Sequence, residues 1–230
     1  MVASYGKNSG LQWIDAGQSF VVLSERDGWR HAFKVSRNGE ESVLLTPGDF
    51  DIIEKGPVDE EGGQFYFYAS PENATQRYLF RAPLDGSGSV ERVTPDDQPG
   101  WHTYDFSPDT AWAKHTYSHF NAPPAVDLVR VSDHASMRVL EDNRALKDRV
   151  ASHLERPGEF LQLDIQDGVT MDAWVIHPKA FDPEKQWPVY VYVYGEPHGQ
   201  TVLDRWGAAM GDYHRAIADL GYVVVSIDNR

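Results

Sequence analysis

One recurrence limits what this chain can fold into more than any other feature. Leu45-Thr46-Pro47 returns as Val93-Thr94-Pro95, so the two threonines stand 48 residues apart (94 minus 46). Each copy closes a group of four short apolar runs separated by turn residues. The first group is Leu11–Ile14, Phe20–Ser24, Trp29–Val35 and Ser42–Leu45, with Asp15-Ala16-Gly17, Asp27-Gly28 and Asn38-Gly39 between them. Asn-Gly and Asp-Gly suit tight hairpins because both residues tolerate positive φ. The second group is Phe50–Glu54, Gln64–Ala69, Arg77–Pro83 and Val90–Val93, and the third is His102–Phe106, Ala111–Tyr117, Asp127–Val131 and Met137–Leu140. A period near 48 residues with four antiparallel strands per period is the signature of propeller blades, about 40–50 residues each. A β-sandwich with coincidental spacing is the alternative. Three blades cannot close a ring of about 4–8 blades, so the repeat implies further sequence upstream.

Past Leu140 the pattern changes. Glu141-Asp142-Asn143 supplies acidic and capping residues for a short helix to about Val150. Phe160–Ile165 and Val169–His177 alternate around Asp167-Gly168 as a hairpin. Val189–Tyr194 and Tyr222–Ile227 are short apolar runs of the buried-strand type. Between them Leu203, Trp206, Met210, Tyr213, Ile217 and Leu220 fall at steps of three and four, predicting an amphipathic helix over 203–220 ended by Gly221. Strand, helix, strand at this spacing is a βαβ crossover, and its two strands should be parallel neighbours. The fold class is therefore mixed: about three four-stranded antiparallel blades, then a partial α/β domain. The divisions read from this pattern are a tail at 1–10, blades at 11–141, a linker helix at 142–157 and the opening of an α/β domain at 158–230.

Composition removes several function classes. With 35 acidic against 21 basic residues the net charge is −14, which repels phosphate backbones and disfavours a nucleic-acid partner. There is no cysteine, hence no disulfide, thiolate metal site or cysteine nucleophile. No run reaches the roughly 18 apolar residues that span a bilayer. The sequence lacks G-x-S-x-G, H-E-x-x-H, a phosphate-binding G-x-x-x-x-G-K and a helix-opening G-x-G-x-x-G. Gly86-Ser87-Gly88 belongs to a hairpin turn. His115 and His119 stand four apart in a strand-and-loop region, so no metal pair is expected. No cofactor is implied.

One segment carries chemistry: Tyr192-Val193-Tyr194-Gly195-Glu196-Pro197-His198, between the first apolar run and the helix. In α/β-hydrolases the loop at this place helps to form the oxyanion hole, where losing one donor costs about 3–4 kcal/mol of barrier. A tyrosine hydroxyl is a suitable donor, which makes Tyr194 the candidate catalytic residue. On spacing alone the simpler reading is preferred: Tyr194 packs as a strand-end aromatic while Gly195 and Pro197 turn the chain.

Several segments, in order, resemble one family. Ser24-Glu25-Arg26-Asp27-Gly28-Trp29-Arg30-His31 is similar to the S-E-R-x-G-W-R-H blade motif of dipeptidyl peptidase IV and its bacterial relatives. Phe106-Ser107-Pro108-Asp109 resembles their F-S-P-D, and Arg138-Val139-Leu140-Glu141-Asp142-Asn143 with Ala145-Leu146 resembles the passage from propeller to hydrolase domain. Tyr192 to His198 resembles Y-V-Y-G-G-P-H, and Gly221-Tyr222-Val223-Val224 through Asp228-Asn229-Arg230 resembles G-Y-V-V-x-x-x-D-N-R. The resemblance implies the last three blades of an eight-bladed propeller and the start of an α/β-hydrolase domain. It further implies a serine peptidase that removes dipeptides from peptide N-termini after proline or alanine. Peptides are then the partners, a homodimeric parent is left open, and both cytoplasm and periplasm remain open as compartments. The resemblance places the oxyanion-hole tyrosine at Tyr194 and the serine, aspartate and histidine of the triad beyond Arg230, so this segment alone is expected to be inactive. Residues that grip the substrate amine lie in earlier blades of the family, and substrate-binding residues here are unknown. Glu196 replaces the usual second glycine; pointing inward it would raise the barrier by like-charge repulsion, and it is expected to face solvent. The alternatives are an acylaminoacyl peptidase or oligopeptidase of the same fold, or a non-catalytic propeller module.

Overall fold

The computed structural model describes residues 10–151, 157–195, 199–208 and 211–229. The chain forms two compact units: residues up to Thr116 together with Val126–Leu140, and Tyr117–Ala125 together with everything from Glu141 on.

The first unit is built from three meanders. β1 (Gln12–Ile14), β2 (Ser19–Ser24), β3 (His31–Ser36) and β4 (Ser42–Leu44) pair in sequence order, each antiparallel to the next. β5 (Glu54–Asp59), β6 (Gln64–Ala69), β7 (Tyr78–Pro83) and β8 (Glu91–Arg92) repeat the arrangement. So does the sheet of β9 (Trp101–Phe106), β10 (Trp112–His119), β11 (Ala122–Arg130) and β12 (Ala135–Glu141), whose β10–β11 tip belongs to the second unit. These are propeller blades. The Asn38-Gly39 turn works as its sequence demands, with Gly39 at φ 77°.

β5 differs from expectation. The apolar run Phe50–Glu54 marks the expected strand, whereas the strand found spans Glu54–Asp59 and includes Gly56-Pro57. Its pairing shifts register between Lys55 and Val58. β5 is an edge strand, so the missing proline N–H costs no ladder bond on the open side. A Cβ on Gly56 would approach the Tyr66 carbonyl oxygen to 2.9 Å, so the bulged strand can lie this close only with glycine. Phe50 and Ile52 are buried all the same, in the segment leading into β5.

β6 explains how the blades hold together. Its residues alternate between two apolar faces: Phe65, Phe67 and Ala69 join a core with Ile14, Val21 and Ala32 of the first blade. Tyr66 and Tyr68 join another with Tyr104, Ala113 and Val129 of the third. Each blade thus buries its faces against its sequence neighbours, as stacked repeats do.

The recurrent threonines have identical duties. The Ala32 N–H donates to Thr46 Oγ1 at 2.9 Å while the Leu45 N–H donates to the Ala32 carbonyl at 2.9 Å. One period later the Leu79 N–H donates to Thr94 Oγ1 at 2.9 Å and the Val93 N–H to the Leu79 carbonyl at 2.8 Å. Both side chains are buried, so removing the hydroxyl orphans a backbone N–H. Thr46→Val is expected to cost about 1–3 kcal/mol. Thr94→Val should cost more, because Thr94 Oγ1 also bonds the Tyr104 hydroxyl at 2.9 Å. Urea midpoints of both variants test this ordering, and equal midpoints to wild type would refute the role.

A buried polar chain lies beside Tyr104. His102 Nε2 contacts the Gln98 carbonyl, His102 Nδ1 contacts His115 Nε2, and His115 Nδ1 contacts Asp127 Oδ1, each at 2.9 Å. His134 Nε2 meets the Tyr104 hydroxyl at 2.7 Å. Burial, then the neighbouring His115, holds His102 down to about 3. Burial, then His134, holds His115 down to about 4, even though Asp127 pulls it upward. His119 shares β10 with His115 but takes no part in this chain. No group of three or more His, Asp or Glu side chains among the described residues could hold a metal ion.

The second unit opens with α1 (Arg144–Val150). Asp142 Oδ1 accepts the Arg144 N–H at 2.9 Å, and Asn143 stands left-handed at φ 49° with its amide donating to the Pro124 carbonyl at 2.6 Å. A sheet follows of β13 (Glu159–Asp164), β14 (Thr170–Ile176), β15 (Val189–Tyr192) and β16 (Val223–Ile227), ordered β13-β14-β16-β15. β13 and β14 form the expected hairpin, and β15 and β16 are the expected parallel neighbours.

The crossover helix, α2, is shorter than predicted, Gly211–Asp219 instead of 203–220. Gly207 at φ 71° interrupts the run. Its inward face also differs, since Tyr213 and Leu220 are exposed while His214, Arg215 and Ala218 are buried. His214 packs its ring on Trp174, Tyr190 and Tyr192. Arg215 donates to Asn121 Oδ1 at 2.9 Å and lies against the Phe120 ring. Aromatic and hydrogen-bonding partners for these two polar residues outweigh the apolar count on which the periodicity rests. No described helix is long and apolar enough to cross a membrane.

Candidate active-site loop

Tyr194 leaves the carboxyl end of β15, two residues after the last paired position, Tyr192 opposite Ser226. In open α/β sheets ligands bind beyond the carboxyl ends of the strands. Tyr194 is 42% exposed, and its ring lies against Gly199 so closely that a methyl group there would overlap it. Glu196, Pro197 and His198 fall outside the described residues, and with them the expectation attached to Glu196.

The loop is fastened on both sides. Before it, the Ser226 hydroxyl donates to the Tyr192 carbonyl at 2.8 Å. After it, Asp228 Oδ1 accepts the N–H groups of Thr201 at 2.6 Å and Val202 at 3.0 Å, and the Thr201 hydroxyl at 3.0 Å. The Thr201 and Ser226 hydroxyls are 2.8 Å apart, and the Trp174 indole N–H donates to the Thr201 carbonyl at 3.1 Å. Thr201, Ser226 and Trp174 are all buried. Sequence reasoning quoted Asp228 only as part of a motif and did not single out Thr201 or Ser226. An acidic residue directly after a buried strand was the available signal.

His214 lies beneath Tyr192 at a ring separation of 4.8 Å. Both its nitrogens lack a hydrogen-bond partner among the described residues, and burial lowers its basicity, so it sits as a neutral imidazole. It is fully buried and packs against Trp174, Tyr190, Tyr192 and Tyr213.

The other motif residues build the blades. Asp27 bonds His31 Nδ1 at 2.8 Å, and this bond leads the effects that lower its carboxyl pKa. Arg26 stacks on Phe33 with its guanidinium carbon 4.1 Å from the ring centroid. Arg30 donates to the carbonyls of Ile52 and Ile53, both at 3.0 Å, which ties the first blade to the segment entering the second. Ser107 and Asp109 stitch the tight turn between β9 and β10.

The family described as the dipeptidyl peptidase IV (DPP IV) N-terminal region matches residues 7–124, just over half of the chain. The chain belongs to the dipeptidyl peptidase IV family. A probable dipeptidyl-aminopeptidase B of Emericella nidulans is 31% identical over 207 residues, covering 89% of this chain and 22% of that protein. Another from Neosartorya fischeri is 30% identical over 237 residues, covering 95% of this chain and 25% of that protein. Among solved structures, dipeptidyl peptidase 4 of Porphyromonas gingivalis superposes with a TM-score of 0.86 at 29% identity, over 96% of this chain and 30% of its own. A putative dipeptidyl aminopeptidase IV from Bacteroides ovatus, at 21% identity and a TM-score of 0.77, shares the fold. The chain therefore spans about a quarter of the length of these curated DPP IV-type relatives.

Proposed function

We propose that this chain is a segment of a serine exopeptidase that removes Xaa-Pro and Xaa-Ala dipeptides from peptide N-termini. In this reading residues 11–141 are the last blades of the propeller, 142–157 link them to the catalytic domain, and 158–230 open an α/β-hydrolase domain. The nucleophilic serine, aspartate and histidine lie in sequence beyond this segment, and the segment alone has no activity. The observation that carries the proposal is the position of Tyr194, a part-exposed phenol just past the carboxyl end of a strand in a parallel pair.

Chemically, attack on a peptide carbonyl puts negative charge on its oxygen only as the tetrahedral state forms. A neutral phenol held at that oxygen stabilises the transition state more than the substrate, and so raises kcat. Acyl transfer of this kind needs a nucleophile, a base and such donors, with no cofactor.

The test uses the full-length protein and chromogenic Gly-Pro and acetyl-Ala substrates. Tyr194→Phe keeps the ring and removes the donor; kcat on Gly-Pro should fall about 10²–10³-fold with KM little changed. An unchanged kcat would exclude the oxyanion role. Turnover of acetyl-Ala in preference to Gly-Pro would replace the dipeptidyl reading by an acylaminoacyl peptidase.

A further inference from the structure

Tyr192, before the candidate phenol, and Thr201 and Val202, after it, are both held by residues at the end of β16. Ser226 holds the Tyr192 carbonyl, and Asp228 gathers three donors from Thr201 and Val202 onto one carboxylate oxygen. Two of those donors are backbone N–H groups, so the carboxylate fixes the path of the main chain and not only one side chain. β16 itself is held in register with β14 and β15, and the Asp228 N–H donates to the Asp172 carbonyl at 3.0 Å. The anchor is therefore part of a paired sheet, while the phenol it would position lies outside any strand.

We propose that Asp228 is a positioning residue for Tyr194, acting through Thr201 and assisted by Ser226. The inference rests on the oxyanion reading of Tyr194. Without the carboxylate, two main-chain N–H groups lose their acceptor, and Thr201 is released two residues from Gly199, against which the Tyr194 ring lies. A displacement of about 1 Å at a catalytic group costs up to 10²-fold in rate. The charge that Tyr194 would stabilise develops only in the transition state, so the loss belongs in kcat.

A double-mutant cycle in the full-length peptidase on a Gly-Pro chromogenic substrate tests this. Asp228→Ala should lower kcat about tenfold to a hundredfold with KM within about twofold of wild type. Asp228→Asn keeps one carbonyl oxygen for the same donors and should recover most of that loss. In the double variant Tyr194→Phe/Asp228→Ala, kcat should match Tyr194→Phe alone within about twofold, because the anchor has nothing left to position. Multiplying losses in the double variant would overturn the role of Asp228 while leaving that of Tyr194 intact. A fully active Tyr194→Phe would instead sink the oxyanion reading itself. Should Asp228→Ala not fold, Ser226→Ala enters the same cycle, with the same two outcomes deciding.

Discussion

Replacing Trp174 with alanine is expected to destabilise the second unit by about 3–5 kcal/mol. Trp174 is completely buried in the middle of β14. Its ring lies 5.6 Å from that of Phe120 and 5.1 Å from that of His214, so truncation opens a cavity bounded by two other rings. Trp174 also holds the Thr201 carbonyl through its indole N–H. Trp174→Phe keeps most of the apolar volume while removing the donor and a small part of the ring, so a smaller loss of about 1–2 kcal/mol is expected for it. Urea unfolding of both variants, followed by near-ultraviolet circular dichroism, checks the ordering. A loss below about 1 kcal/mol for alanine would mean that the site relaxes to fill the space, contrary to a close-packed core.

Acid should unfold the blade unit earlier than a β-rich unit without buried histidines. His102 and His115 titrate near 6.5 when the chain is unfolded and are held at about 3 and about 4 when it is folded. The unfolded chain therefore binds more protons between those values, and stability rises with pH through that window. The contribution is complete above pH 6.5 and is lost as pH falls toward 4 and then 3. Each histidine changes stability by about 1.4 kcal/mol per pH unit within its window, several kcal/mol for the pair. The groups facing them include Asp127, His134, Tyr104, Tyr78, Arg92 and the Gln98 carbonyl. Two neutral imidazoles carry two ring protons for three contacts. With Asp127 ionised, His115 donates to it and His102 donates to His115, which leaves His102 Nε2 facing the Gln98 carbonyl without a proton. An incoming proton completes that contact, and burial still outweighs the gain. Urea midpoints between pH 7.5 and 4.5 should fall steeply for wild type and more shallowly for His102→Gln/His115→Gln. Parallel slopes would show that other groups carry the acid sensitivity.

The blades were legible because hairpin chemistry and alternation agree in them. β6 stands where its run of aromatic residues puts it, and the two Thr-Pro copies make the same hydrogen bonds. β5 lies beyond its expected run because Phe50 and Ile52 are buried in the segment leading into it, and the edge position of the strand makes Pro57 harmless there. The inward face of α2 was misjudged because His214 and Arg215 are buried among rings and an amide, partners that no periodicity contains. For the candidate loop, the parallel pairing that places Tyr194 beyond a strand end could be read from two apolar runs. The clamp could not, since Asp228 and Thr201 are 27 residues apart and meet only once the crossover has formed.

The paired threonine locks bear on how such an array can change over time. Each hydroxyl fastens the third strand of a blade to the segment leaving that same blade, so each of these two blades carries its own lock on strand order. Side chains that reach across, such as Arg30 into the entry of the second blade and Thr94 to Tyr104, carry a loosened blade into the hydrogen bonds of the next. Lineages are accordingly freer to remodel the turns of a single blade than its faces, which are shared with the neighbouring blades.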